Sequence, residues 1–129
     1  MRIGELANAT GTTTKTLRFY ESAGLMPIPP RTSSGYRDYP SDTVHRIAFI
    51  RRGQSAGLTL AQIGEILHIR DGGNAPCAHV KSLLSERLKE LDHQIADLLA
   101  LRETVQSLHS ASLTIEPAAC APNQVCQYI

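Results

Sequence analysis

From Cys77 to about Ser110 the chain carries apolar residues at steps near three and four: Leu84, Leu88, Leu91, Ile95, Leu98, Val105 and Leu108. That spacing lays them along one face of a single long helix. Arg102 interrupts the seam where a further apolar residue is expected. Roughly 30 helical residues span about 45 Å at about 1.5 Å each. In a chain of 129 residues a helix of that length cannot bury its stripe inside its own domain. It needs a partner, and an identical helix, antiparallel or parallel, is the simplest supplier.

The residues before the long helix have a different character. Residues 1–70 hold nine Lys/Arg against five acids, a net of +4, whereas residues 71–129 hold four against seven, a net of −3. A basic half joined to an acidic half points to a polyanion partner for the first half alone. No apolar run approaches the roughly 18 residues of a membrane helix. The opening Met1–Leu6 is periodic rather than a charged leader with an apolar stretch, which points to a cytoplasmic protein.

Within the basic half, Ile3, Leu6 and Ala7 share one helical face and Gly11 stops it. Thr12, Thr13 and Thr14 offer N-cap hydroxyls to a second helix running to about Ala23, with Leu17 inward and Gly24 past its end. Two short helices around a glycine turn form a helix-turn-helix. The second helix presents Thr13, Thr14, Lys15, Arg18 and Tyr20, the residue types that grip phosphate in a major groove. Pro27-Ile28-Pro29-Pro30 breaks the helical pattern. The stretch Arg31–Tyr39 reads as a small hairpin turning near Ser34-Gly35, a wing carrying Arg31, Tyr36 and Arg37. A third helix is expected from a cap at Ser41 to Gly57, and a fourth from a cap at Thr59 to about Ile69, burying Leu60, Ile63, Ile66 and Leu67. Asp71–Pro76 reads as a linker, and a last helical turn is expected over Asn123–Tyr128.

Several motifs now stand in order: Ile3-Gly4-Glu5-Leu6-Ala7, Thr16-Leu17-Arg18-Phe19-Tyr20-Glu21, Gly24-Leu25, Gly35-Tyr36-Arg37-Asp38-Tyr39, Ile47-Ala48-Phe49-Ile50-Arg51 and Gly57-Leu58-Thr59-Leu60-Ala61-Gln62-Ile63. Over essentially its whole length the chain resembles the MerR family of transcription regulators. The resemblance implies an all-α fold with a small β wing. A winged helix-turn-helix DNA-binding domain (1–70) precedes a linker and long antiparallel coiled-coil dimerisation helix (71–110), then a metal-binding loop and C-terminal turn (111–129). It implies a homodimer on double-stranded promoter DNA, with Arg18, Tyr20, Tyr36 and Arg37 on backbone phosphates. It also implies that effector binding distorts the promoter so that RNA polymerase can use it.

Three cysteines, Cys77, Cys120 and Cys126, are an odd count that excludes a complete disulfide framework within one chain. Cys77 follows Pro76 at the start of the long helix, where the helix dipole favours a thiolate. Cys120 and Cys126 lie six apart in the tail, so one loop can fold both toward an ion. Thiolates suit soft ions: mercury, cadmium, lead, zinc or copper(I). In an antiparallel dimer, Cys77 of one subunit can complete a site made by the tail pair of the other. The resemblance adds that members sensing divalent ions tend to have cysteine where Cys77 stands, and those sensing copper(I), silver(I) or gold(I) tend to have serine. A soft divalent ion is therefore the leading expectation. A copper(I)-type sensor using the tail pair alone, or a thiol redox sensor, are the alternatives. His79 and His109 are further candidate ligands.

Other classes fit less well. No Cys-x-x-Cys, Ser/His/Asp or carboxylate grouping supports an enzyme. Two tail cysteines are too few for the family's iron–sulfur branch, and residues 111–129 are too few for a drug-binding domain. For a purely architectural DNA-binding protein the cysteine tail would have no purpose.

Overall fold

Gly11 ends the first helix in the left-handed region, at φ 65°, where a side chain is disfavoured. A computed structural model describes residues 1–129, and it carries five α-helices: α1 (Ile3–Thr10), α2 (Thr14–Ser22), α3 (Thr43–Ser55), α4 (Leu60–Asp71) and α5 (Cys77–Ser112). The chain divides into two compact units, Met1–Arg87 and Leu88–Ile129.

In the first unit α1 packs on α2 and α3, and α3 packs on α4. Thr13 is the N-cap of α2, its hydroxyl accepting from the Thr16 amide at 3.2 Å. Leu6, Leu17, Ile47, Ile50 and Ile63 are fully buried, so each helix contributes the apolar face that its spacing marks. Thr59 and Gln62 form a reciprocal capping box at the start of α4, as their spacing of three allows. Leu60 is only partly buried beside the core of Ile63, Ile66 and Leu67. The opening turns of α5 belong to this unit: Leu83 is buried, Val80 packs against the core, and Arg87 Nε donates to the Ala56 carbonyl at 3.3 Å.

Three local expectations are corrected. Ser41 does not cap α3 with its hydroxyl; the amides of Thr43, Val44 and His45 are met by the carbonyls of Pro40, Ser41 and Asp42 in a tight turn. The wing is a single antiparallel bridge between Arg31 and Arg37 rather than a pair of strands. Pro30 and Pro40 bound the pairing on either side, because proline has no amide to extend a ladder. The helical turn expected over Asn123–Tyr128 is absent; a 3-10 turn forms at Pro117–Ala119 instead. A few residues after Pro122 are too short for cooperative helix formation, whereas Pro117 suits a first helical position.

In the second unit the continuation of α5 leaves Leu88, Ile95, Leu98, Leu99, Leu101 and Val105 each more than half exposed. No helix is long and apolar enough to cross a membrane.

Candidate nucleic-acid interface and thiol cluster

Lys15 and Arg18 lie exposed on α2, three residues apart and therefore on one face. Thr14 is half-buried beside them, and Thr13 is exposed with its oxygen engaged as the cap. Tyr20 is placed differently from its expected role on the surface. It is 3% exposed, and its hydroxyl donates to Gln54 Oε1 at 2.9 Å. Tyr20 thus fastens α2 to α3 from within the unit.

The wing folds back toward α2 through a carboxylate that the sequence reading did not single out. Glu21 accepts from both the Arg37 guanidinium and the Tyr39 hydroxyl, and its side chain is 7% exposed. Arg37 and Tyr39, two apart on an extended segment, face the same way, and that period of two was the available signal. The Tyr39 phenol is held above its usual range, first by burial and then by its bond to Glu21. The Arg37 guanidinium is also raised, first by its contact with Tyr39 and then by the Glu21 charge. Arg31 Nη1 donates to the Gly35 carbonyl at 2.9 Å, and the Thr32 amide donates to Tyr36 O at 2.6 Å, which closes the wing tip. Gly35 sits at φ 85° within that turn. Tyr36 is 53% exposed, and the Arg2 guanidinium stacks 4.3 Å from its ring centroid.

These elements frame a groove of about 830 Å³ between α2 and the wing, lined among others by Arg2, Arg18, Arg31, Tyr36 and Arg37. Four guanidinium groups against the carboxylates of Glu5 and Glu21, the latter paired with Arg37, leave this concave surface net positive and suited to a polyanion. Arg46 braces the same unit from behind. Its Nε donates to Leu25 O at 2.7 Å, and Nη1 and Nη2 reach Asp71 Oδ1 and Oδ2 at 2.9 and 3.0 Å. That bidentate pair, opposed by some loss of hydration, holds the Asp71 carboxyl below its ordinary value.

All three cysteines are free thiols, Cys77 and Cys126 exposed and Cys120 half-exposed. Cys77 opens α5 in the first unit. In the second unit Cys120 and Cys126 gather about Tyr128. The Tyr128 amide donates to Cys126 Sγ at 3.5 Å, and its hydroxyl donates to the Ile115 carbonyl at 3.0 Å with Cys120 beside it. The phenol is held above its ordinary value, first by lost hydration and then by the Cys120 and Cys126 sulfurs. Within the single chain no group of three or more His, Cys, Asp or Glu side chains stands together to hold a metal ion. His79 Nε2 is buried 3.2 Å from Glu65 Oε2 but without hydrogen-bond geometry, so its ring faces α4; His109 is exposed on α5.

Two family models match this chain: that of the MerR HTH family regulatory proteins over residues 1–68, and that described as MerR, DNA binding over residues 44–108. The chain belongs to the MerR family. It is therefore a DNA-binding transcription regulator and not an enzyme. It is 37% identical to the mercuric resistance operon regulatory protein of Bacillus cereus over 107 residues, 83% of this chain and 81% of that one. It is 37% identical over 111 residues to the HTH-type transcriptional regulator ZntR of Escherichia coli K12, 85% of this chain and 79% of the relative. Its fold is similar to that of the transcription regulator PbrR691 from Ralstonia metallidurans CH34 in complex with lead(II). The TM-score is 0.76 at 30% identity, over 97% of this chain and 91% of the other. Both family models stop short of the tail, so Cys120 and Cys126 lie outside them.

Proposed function

We propose that this MerR-family chain is a metal-responsive regulator that binds promoter DNA as a homodimer and activates transcription on taking up a soft, divalent ion through Cys77, Cys120 and Cys126. The observation that carries the reading is the pairing of two free tail thiols about Tyr128 in a chain whose first unit is a DNA-binding fold. The donor set fits a thiophilic ion, since all three sulfurs are outside any disulfide and open to solvent at least in part. A relative named for mercuric resistance, and a solved relative in complex with lead(II), support an ion of that class.

On the DNA side, Lys15 and Arg18 from α2 and Arg31, Tyr36 and Arg37 from the wing hold backbone phosphates, while Thr13 and Thr14 lie at the entry of the recognition helix. Arg37 delivers its charge already oriented by Glu21. The exposed apolar face of α5 is the subunit contact. In an antiparallel pair of α5 helices, Cys77 of one subunit joins Cys120 and Cys126 of the other. Filling that site alters how the two DNA-binding units are held, and the promoter is bent and untwisted in response, to the benefit of RNA polymerase.

Cysteine substitution with a transcription readout tests this. Cys120→Ser or Cys126→Ser should abolish induction by mercury, cadmium, lead and zinc while sparing promoter affinity. Cys77→Ser should lower the response to divalent ions steeply. Mixing Cys77→Ser chains with Cys120→Ser/Cys126→Ser chains should restore one complete site per heterodimer. Tight stoichiometric metal binding by either variant homodimer would remove the shared-site reading. A second reading, a copper(I)-type sensor using the tail pair alone, is supported by the contacts that Cys120 and Cys126 share at Tyr128 within the second unit. In that case Cys77→Ser leaves the copper(I) response intact.

A further inference from the structure

The tail after α5 has no core of its own. Val125 and Ile129 are fully or almost fully exposed, and the 3-10 turn at Pro117–Ala119 buries nothing. Among residues 113–129 only Ile115, Cys120, Ala121 and Tyr128 are even half-buried. Three of these four make up one set of contacts: Tyr128 reaches back thirteen residues to the Ile115 carbonyl at 3.0 Å, with Cys120 beside its hydroxyl. Its own amide points at Cys126 Sγ, 3.5 Å away. One residue therefore touches both tail thiols and closes the loop that contains them.

From this arrangement we propose that Tyr128 is a positioning residue for the Cys120–Cys126 pair, pre-ordering the tail loop so that both sulfurs face one ion. The inference rests on the thiolate reading above. The physical basis is the entropy of bringing two ligands on a flexible segment to one point. A loop with no apolar core must obtain that order from polar ties or lose it on every binding event, with affinity reduced accordingly. The Tyr128 hydroxyl bond spans the loop, and the Tyr128 amide fixes the second sulfur. Neither bond blocks a ligand: the hydroxyl bond ends on a backbone carbonyl, and a thiolate sulfur that accepts one amide N–H keeps further lone pairs for the ion.

The test compares reduced wild-type dimer with Tyr128→Phe, which keeps the ring and the backbone amide and removes only the hydroxyl. Cadmium(II) affinity is measured by competition with a chromophoric chelator, with thiolate-to-cadmium ultraviolet absorption confirming the ligands. Iodoacetamide alkylation of the metal-free protein, resolved by peptide mass, reports each thiol separately. Tyr128→Phe should weaken cadmium binding about five- to tenfold, the loss of one hydrogen bond's worth of order. It should also raise the alkylation rate of Cys120 several-fold, leave Cys77 unchanged and leave promoter affinity unchanged. Cys77→Ser serves as the contrast, losing cadmium affinity with no change at Cys120. Unchanged affinity and unchanged Cys120 reactivity in Tyr128→Phe, with wild type showing the thiolate absorption, would overturn the role of Tyr128 alone. Wild type without that absorption would overturn this proposal together with the metal reading beneath it.

Discussion

Two basic or aromatic side chains on the same short helix have opposite fates, and the difference is their angular position. Arg18 is exposed on α2, whereas Tyr20, two residues on, is turned inward to Gln54. On a helix, positions two apart point away from each other, so a motif that contains both cannot present both to one surface. Their substitutions should separate cleanly. Tyr20→Phe should cost about 1 kcal/mol in urea unfolding, one net hydrogen bond to a side chain that water can still reach, with the salt dependence of DNA binding unaltered. Arg18→Ala should leave stability near wild type and reduce the slope of log affinity against log salt by about one. An equal slope in the two variants would count against the placement of Arg18 on phosphate. Periodicity alone could have assigned Tyr20 inward, since Leu17 lies three residues before it; the helix-turn-helix pattern drew the opposite reading.

Elements in the first unit are joined by side chains from distant parts of the chain. Glu21 of α2 holds Arg37 and Tyr39 of the wing, and Arg46 of α3 joins the segment after α2 to the end of α4 through Leu25 and Asp71. The caps at Thr13 and Thr59 and the stop at Gly11 were legible because each depends on neighbours within a few residues. The partners of Glu21 were not, because they lie sixteen and eighteen residues further on. The Arg46–Asp71 pair has a pH signature. Asp71 is held below its ordinary value, so its contribution to stability is present above about pH 4 and is lost as pH falls through the lowered folded value. Asp71 is 53% exposed, so solvent screening limits the pair to less than about 1 kcal/mol. Urea midpoints of wild type and Asp71→Asn should differ slightly from pH 5 to 8 and converge only below about pH 4. A difference that grows on acidification would contradict the pairing.

For the whole molecule the decisive feature is the apolar face of α5. Leu98 is 66% exposed and Leu88 62%, in a helix of 36 residues. Replacing Leu91 and Leu98 together with lysine should yield monomers in sedimentation, with operator affinity much reduced because each DNA half-site is then bound independently. An intact dimer after that change would place the subunit contact elsewhere. The need for a partner was readable from residues 77–110 as letters, since a stripe too long for its own domain follows from helical geometry alone. The basic first half and the helix-turn-helix were equally readable, because each depends on residue type and spacing. What needed the folded chain was the pairing of side chains far apart in sequence: Tyr20 with Gln54, Glu21 with Arg37 and Tyr39, Tyr128 with Ile115 and the tail thiols. The wing shows the same division. Pro30, Gly35 and Pro40 announce a turn and bound its pairing, but its anchoring on α2 comes from a carboxylate whose charge must be met wherever the fold buries it.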